Sequence, residues 1–307
     1  LSRKRVLFLS DTEKHIPNMN GILSLSERWL EYFLTGVMPK LEQTIAFPAQ
    51  KISTKLEWKD LVINEMIMEQ VQEINTWLVH GETIMDDWGL NRMLKPGYRA
   101  LFYGPPGTGK TLTATLLGKA SQRDVYKVDL SMIVSKYIGE TEKNLAKVFD
   151  IAQHRKWILF FDEADALFGK RTAANSSNDR YANQQTSYLL QRIEDFPGVV
   201  ILASNLKANM DEAFTRRFQS IIHFKMPGSE ARYQLWQNAF SNTCRLSEDI
   251  DVRSIAENYE LSGGSIINVL RYCASAAISR GDDIVRKGEL IQGIRREFKK
   301  HNQTLSN

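Results

Sequence analysis

Short apolar runs of strand length alternate, along the middle of this chain, with segments of helical period. Residues 98–103, 125–130, 157–161, 199–203 and 221–224 are strand candidates, and residues 112–119, 142–152 and 188–193 between them are helix candidates. Strands covered on both faces read as continuous apolar runs, so the pattern predicts an α/β fold on a doubly wound parallel sheet. Ahead of it, Leu61, Ile63, Ile67, Val71, Ile74 and Leu78 recur at mostly helical spacings and predict one helix over residues 58–79. Residues 1–55 break short apolar pieces with Pro17, Pro39 and Pro48, leaving residues 25–34 as an amphipathic helix candidate. Beyond Ser229 there is no strand signal, and residues 232–240, 266–278 and 287–298 predict a small helical domain. The domain expectation is an N-terminal extension over 1–57, a nucleotide-binding α/β domain over 58–227 and a C-terminal helical lid over 228–307.

The 307 residues, 43% apolar and 25% charged, are those of a globular chain with room for one large domain and a smaller one. No apolar run approaches the ~18 residues of a membrane span. Cys244 and Cys273 stand in no C-x-x-C pair and have no histidine companions, which argues against zinc and a disulfide scaffold and for a reducing, cytoplasmic setting. Leu1 and the basic Ser2-Arg3-Lys4-Arg5, with no long apolar region behind them, suit a piece of a longer protein rather than a secretory precursor. A net charge of +4 does not by itself call for nucleic acid. The basic cluster of Arg280, Arg286, Lys287, Arg295, Arg296, Lys299 and Lys300 is interleaved with Asp282, Asp283, Glu289 and Glu297, as on a solvated helix face. Residues 169–183, rich in Ser, Asn, Thr and Arg, read as a surface loop.

Candidate chemistry centres on Gly104-Pro105-Pro106-Gly107-Thr108-Gly109-Lys110-Thr111, which matches the phosphate-loop pattern G-x-x-x-x-G-K-[ST] between a strand and a helix. Gly107 and Gly109 let backbone N–H groups turn toward phosphate oxygens, and the start of the helix at Leu112 adds a favourable dipole. Lys110 should reach the β- and γ-phosphates of ATP and Thr111 should ligate Mg²⁺. The apolar run 157–161 ends in Asp162-Glu163, the place where a parallel strand delivers acids to a nucleotide. Asp162 is the expected metal-holding acid and Glu163 the general base for the attacking water. Asn205 closes the next strand within reach of the γ-phosphate or that water. Arg216 and Arg217 end a short helix before the last strand and suit transition-state charge. Ser262-Gly263-Gly264-Ser265 opens a helix either as backbone close to a ribose or adenine or as a plain N-terminus capped by Ser265. Residues 162–165 also spell the Asp-Glu-Ala-Asp of a class of RNA helicases, which need a second RecA-like domain that this length does not provide.

Together the phosphate loop, the strand ending at Asp162-Glu163, Asn205 and Arg216-Arg217-Phe218 resemble the AAA clade of the AAA+ ATPases, over a stretch from about residue 58 to the C-terminus. The resemblance implies Walker A and Walker B motifs, a sensor-1 polar residue at Asn205, and arginine fingers at Arg216 and Arg217 that act on a neighbouring subunit. It also implies a pore loop at Lys136-Tyr137-Ile138-Gly139 that grips polypeptide in a hexamer, and an adenine-contacting linker at Asp60-Leu61-Val62. Gly264 and Ser265 are the corresponding positions on the lid, with Ser265 standing where the family usually has an acid. Phe47-Pro48-Ala49, the text from Lys136 to Leu145 and Asp179-Arg180-Tyr181-Ala182-Asn183 further resemble bacterial ATPases of phage-tail-like contractile injection systems. The implied function is Mg²⁺-dependent ATP hydrolysis by a homo-oligomeric ring that remodels protein. A slow nucleotide-dependent scaffold and a nucleic-acid remodeller are the alternatives; the absence of a basic stripe near the pore-loop residues disfavours the latter.

Overall fold

The computed structural model describes residues 7–9, 23–25, 30, 32–34, 36, 47–130, 140–167, 187–205, 215–240 and 243–300. The chain divides into one unit over Leu1–Glu42 and another over Gln43–Asn307. In the first, β1 (Leu7–Leu9) pairs antiparallel with β2 (Leu23–Leu25), so Leu25 is strand, while residues 32–34 of the expected helix are helical.

The second unit is built on a six-stranded sheet. Its strands are β3 (Ala49–Ile52), β4 (Tyr98–Tyr103), β5 (Val125–Val128), β6 (Ile158–Phe161), β7 (Val199–Ser204) and β8 (Ser220–His223), in the order β3-β5-β6-β7-β4-β8. Every pairing is parallel except β3 on β5. β4, β6 and β7 are buried at every position, which is why their sequences show no polar alternation. The edge strand β3 shows no such run, and lies ahead of the expected domain start at residue 58; the sheet begins at Ala49 instead. Its docking rests on Phe47, which meets Tyr126 and Trp157 edge-on at 6.3 and 6.4 Å, while those two rings stack at 3.7 Å.

The helices are α1 (Glu65–Glu82), α2 (Lys110–Ala120) and α3 (Glu140–Arg155), with residues 187–195 also helical. α1 starts later than residue 58, because Asn64 caps it by accepting the Ile67 N–H at 2.8 Å. Ile67, Val71, Ile74 and Leu78 form its buried stripe against the sheet, whereas Leu61, Val62 and Ile63 lie outside it. A buried guanidinium, Arg99 on β4, donates to the carbonyls of Pro96, Ile193 and Glu194, the latter two in the last turn of the 187–195 helix.

A second core follows, formed by α4 (Ser229–Ala239), α5 (Val252–Asn258), α6 (Gly263–Ser279) and α7 (Lys287–Lys300) around Trp236, Ile266, Val269, Cys273 and Ile294. Two-residue strands β9 (Arg245–Leu246) and β10 (Ile284–Val285) pair in parallel within it, correcting the strandless expectation; pieces so short leave no periodicity to read. α5 was likewise invisible at seven residues. The basic cluster is partly spoken for internally: Arg280 pairs with Asp282 at 2.7 Å and Glu289 at 2.8 Å. Neither cysteine is in a disulfide, and burial pushes the Cys273 thiol up to about 12.

Candidate nucleotide site

A cavity of about 600 Å³ opens at the C-terminal ends of the parallel strands, between the sheet and the second core. This is the edge where open α/β sheets bind ligands. Its wall includes the phosphate loop from Pro106 to Leu112, together with Asp60, Leu61, Val62, Asp162, Glu163, Asn205 and Gly264. Residues far apart in the chain, each singled out for a different reason, therefore meet at one place.

The loop is shaped by its glycines. Gly104 has φ +141, and a Cβ there would lie 1.9 Å from the Phe224 carbonyl oxygen. Gly109, the N-cap of α2, has φ +103 and frees the first N–H groups of the helix to face the cavity. Lys110 is 7% exposed, and its ammonium donates to Gly104 O at 2.6 Å, Pro105 O at 2.9 Å and Asn205 Oδ1 at 3.1 Å. Burial lowers the affinity of Lys110 for its proton, and the charges of Asp162 and Asp165 oppose that. Asn205 thus touches the phosphate-loop lysine directly.

The paired acids at the end of β6 have different surroundings. Asp162 accepts the Glu163 N–H on Oδ1 at 3.0 Å and the Lys127 ammonium on Oδ2 at 2.6 Å. Glu163 is exposed in the cavity and holds φ +51, a left-handed conformation that disfavours a side chain by roughly 1–2 kcal/mol. Both carboxylates line the cavity, Asp162 engaged by the Lys127 ammonium and Glu163 exposed. Asp165, noted in the sequence only for completing a helicase-like string, accepts from Ser204 Oγ, and its Oδ2 lies 3.4 Å from the Asn205 N–H. It ties the segment after β6 to the end of β7 and so holds Asn205 in place. Neither Lys127 nor Asp165 could be found from local sequence, although a charged residue inside an otherwise apolar strand was a signal for the first.

The lid side departs from expectation in detail. Ser262, not Ser265, is the N-cap of α6, accepting the Ser265 N–H at 3.2 Å. Ser265 does not line the cavity; Gly263 and Gly264 do, and Gly264 donates its N–H to Gly107 O at 3.0 Å. Arg216 is exposed and Arg217 pairs with Glu194 at 2.7 Å, and neither lines the cavity of its own chain. Lys136, Tyr137, Ile138 and Gly139 lie outside the described residues, as do residues 169–183 and 206–214.

The donor set fits a magnesium nucleotide. Mg²⁺ is held by one or two hard oxygen ligands plus phosphate oxygens, and the cavity offers the exposed Thr111 hydroxyl and the Asp162 carboxylate beside a lysine and a run of loop N–H groups. Fold and site thus define a phosphate-loop nucleoside-triphosphate domain. Residues 100–226 match the family model described as "ATPase family associated with various cellular activities (AAA)", and this segment is an AAA domain. The chain is 30% identical over 220 residues to a proteasome-activating nucleotidase of Methanopyrus kandleri, covering 68% of this chain and 50% of that protein. It is 35% identical over 172 residues to cell division protein C of Sulfolobus acidocaldarius, covering 53% and 46%, and 32% identical over 191 residues to fidgetin-like protein 1 of Drosophila melanogaster, covering 60% and 36%. The chain thus spans about half or less of the length of these relatives.

Proposed function

We propose that this chain hydrolyses ATP with Mg²⁺ in an oligomeric ring, hexameric by the family resemblance, and couples turnover to remodelling of protein complexes. The observation that carries the reading is the convergence of Lys110, Asp162, Glu163 and Asn205 on one cavity at the sheet's C-terminal edge. In it Lys110 compensates β/γ-phosphate charge, Thr111 and Asp162 hold the metal, and Glu163 takes the proton of the attacking water. Bound Mg²⁺ would neutralise charge on the phosphate oxygens. Asn205, braced by Asp165, orients the water or the γ-phosphate. In this reading Asp60, Leu61, Val62 and Gly264 contact the adenine, and Arg216 and Arg217, which do not line the cavity of their own chain, serve a neighbour's. The AAA match and relatives named for proteasome activation and cell division support ATP-driven work on protein assemblies. The target is proposed from resemblance alone as sheath or tube components of a contractile injection system, gripped by Lys136-Tyr137-Ile138-Gly139 in the cytoplasm. Among the described residues no helix is long and apolar enough to cross a membrane.

The test is Glu163→Gln, with particle mass measured with and without ATP. The variant should bind ATP, lose at least ~100-fold in turnover because an amide cannot accept the water's proton, and accumulate as an ATP-bound oligomer. Turnover at the parent rate would remove Glu163 as base, and a monomer at all nucleotide concentrations would remove the ring. A parent protein that hydrolyses one equivalent and then stalls would favour the scaffold alternative.

A further inference from the structure

Strand β5 reads Val125-Tyr126-Lys127-Val128, buried at every position except the half-buried Lys127. It lies inside the sheet between β3 and β6, where a lysine packs poorly and loses hydration. Lys127 stands opposite Phe160 on β6, and its long stem carries the ammonium along that strand to Asp162 Oδ2, 2.6 Å away. The other oxygen of the same carboxylate is taken by the Glu163 N–H. Both side chains keep partial exposure, 41% for Lys127 and 25% for Asp162, so the ammonium can return to water when the pair opens.

Asp162 is the acid that the proposed function assigns to the metal, and the inference rests on that reading. A monovalent ammonium already bonded to a carboxylate repels a divalent cation that approaches the same group. We propose that Lys127 is a place-holding counter-ion for Asp162: ammonium and Mg²⁺ compete for one carboxylate, so the metal enters with the nucleotide and is disfavoured alone. The phosphates bring the negative charge that offsets the repulsion between the two cations. Lys127 thereby keeps Asp162 neutralised between turnovers and makes metal entry conditional on the nucleotide.

The experiment titrates Mg²⁺ into the full chain at fixed ionic strength, without nucleotide and then with ADP, and follows the thermal midpoint and the heat of binding. Lys127→Met keeps the apolar stem and removes the charge; Lys127→Arg keeps the charge. Lys127→Met should bind Mg²⁺ alone at least ~3-fold more tightly than the parent, a modest factor because the pair is partly solvated. Lys127→Arg should stay near the parent, and Lys127→Met/Asp162→Asn should lose the gain. An Mg²⁺ affinity of Lys127→Met equal to or weaker than the parent's overturns the proposal, since the lysine would then be neutral toward the metal or help to hold it. If circular dichroism shows Lys127→Met unfolded, Lys127→Gln is put to the same criterion. A parent whose ADP binding gains nothing from Mg²⁺ would refute the metal reading of Asp162, and the proposal with it. A normal gain in the parent with an unchanged Lys127→Met refutes the proposal alone.

Discussion

Gly107→Ala probes the seam between the phosphate loop and the second core. Gly107 has φ +75, and a Cβ there would lie 2.5 Å from Ser262 Oγ and 3.1 Å from Gly264 N. Two costs follow. The left-handed backbone disfavours any side chain by roughly 1–2 kcal/mol. The new methyl also drives Ser262 Oγ off the Ser265 N–H that it caps at 3.2 Å, and a lost cap costs about 0.5–2 kcal/mol. Together the substitution should destabilise by roughly 1.5–4 kcal/mol. In a Ser262→Gly background the hydroxyl is absent, and only the backbone share of about 1–2 kcal/mol should remain. Urea unfolding of the four proteins of this cycle measures both shares, and binding of a fluorescent ATP analogue should weaken along with them because the loop walls the cavity. An equal cost of Gly107→Ala in both backgrounds would refute the Ser262 contact. A cost below about 0.5 kcal/mol in both would refute the left-handed requirement itself.

Asp165→Ala should lower the turnover rate while leaving ATP affinity within about threefold, because it loosens the hold on Asn205 and leaves the phosphate loop itself unchanged, and should cost about 1–3 kcal/mol through loss of the Ser204 Oγ hydrogen bond to the carboxylate. Steady-state kinetics and unfolding check the two halves, and an unchanged kcat would remove the positioning role of Asp165. Arg216→Ala should leave nucleotide binding near normal and reduce hydrolysis by a factor on the order of 10³ if it acts in trans. Mixing it with Lys110→Ala subunits should restore part of the activity, and failure to do so in demonstrably mixed rings would place the arginine's role within its own subunit. Arg217→Ala should lose stability as well as activity, since its guanidinium is already committed to Glu194.

Local text was enough to determine a good deal about this protein. The phosphate loop is contiguous and its glycines are conformational requirements, so eight residues announce both a turn and a ligand class. The inner strands were legible because a strand covered on both faces must be apolar throughout. The acids at the end of β6 were legible for the same reason, as the first charges after such a run. Tertiary structure alone decided the rest. β3 is an edge strand held by Phe47 against the Tyr126 and Trp157 rings, and an edge strand carries no continuous run. Where α1 begins was settled by the Asn64 cap, while the apolar residues ahead of it kept nearly helical spacing although they line a cavity. That Asp165 braces Asn205, that Lys127 neutralises Asp162 and that Gly264 reaches Gly107 depend on groups dozens of residues apart. Sequence periodicity reports which face of one element is buried; it carries no information about which side chain of a neighbouring strand will stand across from it, because that is set by strand order and register.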